Sequence, residues 1–188
     1  MGNQMLKNDK KTLFRKKAFS YIRKKRVNSY KKDKLIVNIL KNYIKKQKPK
    51  NIMAYIPLKS EVDILPIIRY FRQKGVNIYV PYMQEISFKL VKYRLPLRVK
   101  KFGIKEPNIS YLKVNKIDIS IVPIIGIDST CRRVGFGKGM YDRFYEKCGF
   151  KIKKTIFIQR DLIVSKETIT DSYDIKADII FTHKIVTF

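Results

Sequence analysis

The chain is expected to fold as one α/β domain of three layers, a mostly parallel, Rossmann-like open sheet flanked by helices. Three observations predict it. A short apolar run, Asn51 to Ile56, precedes a helical stretch, Ile64 to Lys74, and a second apolar run, Val76 to Val80. Strand, helix and strand at this length form a right-handed βαβ unit with parallel strands. A later buried strand, Asp118 to Pro123, holds Ile-Ser-Ile-Val and feeds a glycine-rich loop that opens a further helix. Finally, 188 residues with no internal repeat or long linker suit a single domain, residues 1–188, around a continuous core.

The remaining elements follow in order. From about Lys7 to Arg26, the apolar residues Leu13, Phe14, Ala18, Tyr21 and Ile22 recur at helical spacing among lysines and arginines. Such a basic amphipathic helix can pack on the core, adsorb to an anionic membrane, or reach a phosphate site. Lys11 and Arg15 lie one turn apart on the same face. A second helix is expected from Lys31 to Lys46, with Leu35, Ile36, Ile39, Leu40 and Tyr43 inward and Pro49 closing it. In the βαβ unit, Asp63 is the expected N-cap, Pro66 lies in the first turn, Gly75 stops the helix, and Pro81 ends the second strand. Ile86 to Tyr93 reads as an antiparallel strand and Arg94 to Leu112 as loop. Thr155 to Ile158, Asp178 to Phe181 and a short Ile185 to Phe188 read as further strands.

Composition excludes several classes. Hydrophobic residues at 45% and aromatics at 12% are too many for a disordered chain. The 43 Lys and Arg against 15 Asp and Glu give a net charge of +28, which attracts any polyanion at low salt. The lysines are spread along the chain and no nucleic-acid recognition motif is present, so no specific nucleic-acid partner is expected. Two cysteines, Cys131 and Cys148, and one histidine, His183, leave a structural zinc site without ligands and a histidine triad without support. The first eleven residues lack an apolar signal core, and the longest apolar run, Ile119 to Ile127, is too short to span a bilayer. A cytoplasmic monomer with reduced thiols and no membrane partner is expected.

The chemistry concentrates between Arg132 and Arg143. Gly135, Gly137 and Gly139 alternate, leaving the backbone N–H groups unshielded before a helix expected over Met140 to Lys147. A loop of N–H groups that meets the positive end of a helix binds phosphate. Arg132, Arg133, Lys138 and Arg143 add fixed charge, and Asp142 offers a carboxylate for magnesium beside phosphate oxygens. The spacing matches neither the dinucleotide fingerprint nor the Walker pattern. Glu61 falls in the loop at the carboxyl end of the first strand, the edge where open α/β sheets bind ligands.

Together these residues resemble the 5-formyltetrahydrofolate cyclo-ligase family. Its Arg-Leu-Gly-x-Gly-x-Gly-Tyr-Tyr-Asp-Arg run appears as Arg133 to Arg143, with Val134 for Leu and Met140 for the first Tyr. An N-terminal Lys-x-x-x-Arg matches Lys11 to Arg15, Glu-Val-Asp matches Glu61 to Asp63, and Gly-Ile-x-Glu-Pro matches Gly103 to Pro107. Asp128, Asp171 and Asp178 match family aspartates, and Cys131 replaces a usual glycine. The resemblance implies ATP- and magnesium-dependent conversion of 5-formyltetrahydrofolate to 5,10-methenyltetrahydrofolate. It places ATP on Lys11, Arg15, Arg133, Val134, Gly135, Phe136, Gly137, Lys138, Gly139, Met140 and Tyr141. It places the folate on Ile56, Glu61, Phe136, Gly137, Lys138, Gly139 and Met140, and magnesium on Asp142 and Asp178. Arg133, Lys138 and Tyr141 are the candidate catalytic residues. A basic nucleic-acid-binding protein, or another nucleotide-dependent enzyme sharing the loop, are the alternatives.

Overall fold

A computed structural model describes residues 2–25, 28–100, 103, 105–110 and 114–184. Its central sheet has six strands in the order β10, β9, β6, β1, β2, β3, where β1 is Asn51–Met53, β2 Asn77–Met83, β3 Phe88–Lys92, β6 Lys116–Pro123, β9 Lys151–Ile158 and β10 Ile179–Phe181. All neighbours are parallel except β2 and β3, where Val80 faces Val91. Short pairs β4 (Arg98–Val99) with β5 (Lys105–Glu106), and β7 (Gly126–Ile127) with β8 (Arg133–Val134), lie outside it.

The strand pleat sends alternate side chains to opposite faces. Ile52, Ile78 and Ile156 join one core with Ile36, Leu40 and Ile44 of α2 (Ser29–Gln47) and Ile67, Ile68 and Phe71 of α3 (Leu65–Gln73). Their neighbours Met53, Tyr79 and Phe157 join a second core with Tyr141 and Phe144 of α4 (Met140–Lys147). Helix, sheet and helix make the expected three layers. The first helix, α1 (Gly2–Lys24), crosses the carboxyl edge and is tied to the segment near residue 170 by ion pairs. Among the described residues, no helix is long and apolar enough to cross a membrane.

Several details differ from the sequence reading. Pro81 continues β2 instead of ending it. The Tyr93 N–H donates to the Ile78 carbonyl, so residues 78, 80 and 82 face β3 while Pro81 turns the other way, past the end of β1. Its missing N–H therefore breaks no ladder bond. Leu13, Tyr21 and Leu35 are exposed, because α1 buries Lys11 and Ala18 and α2 buries Asp33. The loop after residue 94 contains β4 and β5. Asp63 caps α3 through a bond from the Leu65 N–H to Oδ1 of 3.0 Å, one residue outside the helix boundary at Ile64. The short strand expected at 185–188 lies outside the described residues.

Candidate active site

The chain leaves β1 towards one side of the sheet, forming α3 on one face before reaching β2. It leaves β6 on the other side and forms α4 on the opposite face. Adjacent strands with diverging connections open a crevice at their carboxyl ends. Glu61 lies in the first connection and the glycine loop in the second, so topology alone brings them together.

Arg133 is buried between the two connections, only 4% exposed, and its charge acts on Glu61. Its Nε donates to the Pro123 carbonyl at the end of β6 (3.1 Å), and its guanidinium lies over the Tyr141 ring at 4.9 Å. Nη1 is 3.5 Å from the Asp142 carboxylate. Gly135 is required by this arrangement, since a Cβ there would stand 2.2 Å from Arg133 Nη1 and 2.6 Å from Cζ. Gly137 (φ 99°) and Gly139 (φ 57°) take backbone conformations that side chains resist, and Gly139 caps α4. Val134 is fully buried in β8, offering backbone only. Phe136 projects and packs against Phe19 of α1, with ring centroids 5.6 Å apart. Lys138 is exposed at the loop tip, where its carbonyl accepts a bond from Arg143. The Met140 carbonyl accepts from Ser87 Oγ at 3.4 Å.

Helix α1 supplies the other wall. Arg15 Nε donates to the Gly135 carbonyl (3.1 Å), which leaves the fork of its guanidinium over the loop. Burial lowers its pKa, the nearby Arg133 adds to this, and Asp174 and Asp142 oppose it. Lys11 is buried and paired with Asp174, and Lys7 pairs with Asp171 at 3.0 Å. Lys11, Arg15, the three glycines, Asp142, Arg143 and Asp174 line a cavity of about 560 Å³. Cations, backbone N–H groups and three carboxylates, Glu146 being the third, are a donor set suited to a phosphate chain and its magnesium ion.

Glu61 is held from both ends. Its Oε2 accepts the Leu58 N–H at 2.9 Å, and its carbonyl accepts a bond from Arg160. Burial pushes its pKa up to about 7, against the opposing Leu58 bond, Arg133 and Arg160. Burial and the Glu61 charge together push the Tyr141 hydroxyl far above its ordinary range, so it stays protonated. Tyr55 fixes the same loop by donating to the Val62 carbonyl at 2.8 Å. Ile56 is half-buried and packs on the core below it.

The sequence reading missed three parts of this site. Arg160 forms a forked pair with Asp33 (2.6 and 2.8 Å) and braces the Glu61 loop. Asp174 lines the glycine-loop cavity and its neighbour's N–H, at Ile175, donates to Asp142 at 3.4 Å. Tyr173 stands at the cavity mouth, donating to Asp171 at 2.9 Å. The two expected magnesium aspartates have different surroundings: Asp142 lines the cavity, whereas Asp178 Oδ2 accepts the Thr155 N–H (2.7 Å) and locks β10 to β9. Among the described residues, no group of three or more His, Cys, Asp or Glu side chains is placed to hold a metal unaided. The site fits magnesium only in its common mode, one or two carboxylates plus ligand phosphates.

Fold and site define an α/β protein that sets a glycine-rich, cation-lined loop against the Glu61 loop at a sheet switch point. The sequence model of the 5-formyltetrahydrofolate cyclo-ligase family matches residues 6–182, and the chain belongs to that family. A Haemophilus influenzae 5-formyltetrahydrofolate cyclo-ligase is 28% identical over 54% of this chain, a match that spans 59% of that protein. Its Mycoplasma genitalium counterpart is 28% identical over 70% of this chain and 71% of its own. The solved structure of Aquifex aeolicus 5,10-methenyltetrahydrofolate synthetase superposes with a TM-score of 0.74 at 26% identity, covering 93% of this chain and 90% of that one.

Proposed function

We propose that the protein converts 5-formyltetrahydrofolate to 5,10-methenyltetrahydrofolate with hydrolysis of ATP to ADP and phosphate. The observation that carries this is buried Arg133, which stands 3.5 Å from the cavity-lining Asp142 on one side and whose charge acts on Glu61 on the other. An amide-like formyl oxygen is a poor leaving group. Transfer of the γ-phosphoryl group to it breaks the bond to ADP and makes an activated imine carbon. The folate's second nitrogen attacks that carbon, loses its proton, and releases the oxygen as inorganic phosphate. The attacking group is within the substrate, so the protein needs no nucleophile and works by positioning and charge neutralisation.

In this reading Lys11, Arg15, Arg133 and Lys138 with the N–H groups of 134–139 hold the phosphates. Glu61 accepts hydrogen bonds from the pterin amino and ring N–H groups, while Ile56, Phe136, Met140 and Tyr141 line the same pocket. Met140 has no ring face but packs against one. Tyr141, protonated and stacked on Arg133, keeps the guanidinium flat where charge develops. Magnesium would neutralise phosphate oxygens; Asp142, Glu146 and Asp174 are the carboxylates lining the cavity, and Asp178 would have to release Thr155 to join them. The test is direct: methenyl absorbance is followed on mixing protein, 5-formyltetrahydrofolate, ATP and magnesium. Product that needs all three and is lost in Arg133→Lys and Glu61→Gln is expected. ATP binding without product would retain the phosphate site and reject the folate chemistry.

A further inference from the structure

The amino edge of the sheet carries a separate cavity of about 770 Å³. Three chain segments meet there: the end of α2 with the start of β1 (47–51), the start of β6 (116–119) and the start of β9 (151–154). Arg133 is anchored to Pro123, at the other end of β6, and the strand rise carries the chain about 23 Å from Lys116 to that residue. This cavity therefore belongs to the opposite end of the fold from the glycine loop. Of its 11 lining residues 6 are lysines, and the one acidic residue is Asp118.

The charges there do not cancel. Asp118 is committed four times over. Its Oδ2 accepts the Lys50 and Asn51 N–H groups at 3.0 and 3.1 Å, and its Oδ1 lies 3.3 Å from Lys116 Nζ and 3.6 Å from Lys153 Nζ. Lys154 is engaged elsewhere, donating to the Tyr43 hydroxyl at 3.0 Å. Lys48, Lys50 and Lys151 have no carboxylate within ion-pair distance among the described residues. Register sets Lys116 beside Lys151 on adjacent strands, where like charges repel. The carbonyl end of α2 contributes only about half a negative charge, so the five remaining ammonium groups keep roughly three positive charges uncompensated. A cleft lined by one sign of charge concentrates the opposite ion.

The shape of this charge selects its ligand. An anion with a single phosphate neutralises too little of it. A nucleic-acid strand calls for rings on which bases stack, and no described residue lining the cavity is aromatic. The Tyr43 ring nearby already carries Lys154, 5.6 Å from its centre. We infer that the amino-edge cavity is a second anion site, which binds an inorganic oligophosphate through Lys48, Lys50, Lys116, Lys151 and Lys153 and recognises no base or sugar. Binding there replaces repulsion among the lysines with ion pairs and stabilises the folded chain by mass action. It is independent of the reaction proposed for the carboxyl edge.

Tripolyphosphate is the probe. Acetylation of each lysine in the wild-type chain is followed by mass spectrometry. Tripolyphosphate slows modification of Lys116, Lys151 and Lys153 about tenfold, the occupancy reached at about ten times Kd, while Lys31 and Lys34, exposed on α2, react as before. Orthophosphate at equal ionic strength protects none of them. Calorimetry separates this site from the glycine loop: a Lys116→Gln, Lys151→Gln, Lys153→Gln triple variant loses one binding event that Arg15→Ala retains. Protection shared equally by Lys31 and Lys34, or unchanged stoichiometry in a folded triple variant, reduces the cavity to a solvated charge cluster and overturns the site. The footprint on the wild-type chain decides alone if that variant does not fold. ATP, or a single-stranded RNA of equal charge, that protects these lysines at lower concentration than tripolyphosphate overturns the inorganic assignment.

Discussion

Single residues in the crevice make sharp demands on one another. The guanidinium of Arg133 occupies the space a Gly135 side chain would need, and Arg133 is fixed by Pro123 and Tyr141, so it has nowhere to retreat. Gly135→Ala is expected to leave the far-ultraviolet dichroism unchanged while lowering kcat/KM by about a hundredfold or more, the scale of losing one preorganised charge donor; wild-type activity in that variant would show that Arg133 is dispensable. Glu61 gives a pH signature. Its pKa is raised to about 7 by burial, so the free protein is mostly protonated there at pH 6 and mostly ionised at pH 8. If pterin N–H groups need the carboxylate, folate affinity at pH 6 is about tenfold weaker than at pH 8, since each unit below the pKa costs a factor of ten. A fluorescence titration checks this, and Glu61→Gln flattens the profile. The stability effect has its own sign. A carboxylate with a raised folded pKa stabilises the fold below its unfolded pKa and loses that contribution as pH rises through about 7. Gly135 and Glu61 were legible in the sequence because their demands are local or sit at a predictable strand end. Arg160 and Asp174 were not, because nothing local marks a pair such as Arg160 with Asp33, 127 residues apart.

Among elements, those with a strong local pattern were read best. Helix α4 begins and ends at the residues its glycine entry and amphipathic spacing indicate. The flanked strands β6 and β9 were recognised as apolar runs but begin earlier than read, since polar residues such as Lys151, Lys153 and Lys154 of β9 look like loop, whereas β1 is shorter than read and ends at Met53 instead of Ile56. The face of α1 was misread because its buried side includes Lys11, whose cost of burial is offset by Asp174, a partner found only in the fold. The segment carrying Asp171 and Asp174 is held in turn by Asp128. Its carboxylate is 1% exposed and accepts bonds from the Thr130, Ile169 and Thr170 N–H groups and from both threonine hydroxyls. Burial pushes its pKa up, but those bonds prevail and hold it near 2. A depressed carboxylate contributes stability above its unfolded pKa and loses it as pH falls through the folded value, so this staple weakens between about pH 4 and pH 2. Asp128→Ala strands several buried donors and is expected to cost about 3 kcal/mol in a urea melt, and to reduce phosphate binding by freeing the segment that pairs with α1. An unchanged midpoint would exclude the staple.

For the whole molecule, the three-layer arrangement was legible because a βαβ spacing constrains handedness and direction together. The switch point between β1 and β6 was not, because strand order depends on which face each connection crosses. The net charge of +28 also acts at this scale. At the amino edge of the sheet, Lys116 and Lys153 share the single carboxylate of Asp118, at 3.3 and 3.6 Å. With cations so far in excess, screening relieves more repulsion than attraction. The thermal midpoint is therefore expected to rise by several degrees between 0.05 and 0.5 M sodium chloride, as the screening length falls to about 4 Å. A midpoint that falls would mean that ion pairs dominate. Finally, the bond between Lys11 and Asp174 spans 163 residues. A nascent chain can pair β1 with β2 as soon as both have emerged, but the cavity over the glycine loop has no second wall until residue 174 has been synthesised. If the cavity binds the proposed nucleotide, ribosome-bound chains halted before residue 174 should thus be unable to retain it, and the ligand becomes a reporter of a late step of folding, the closure of a long loop in the site.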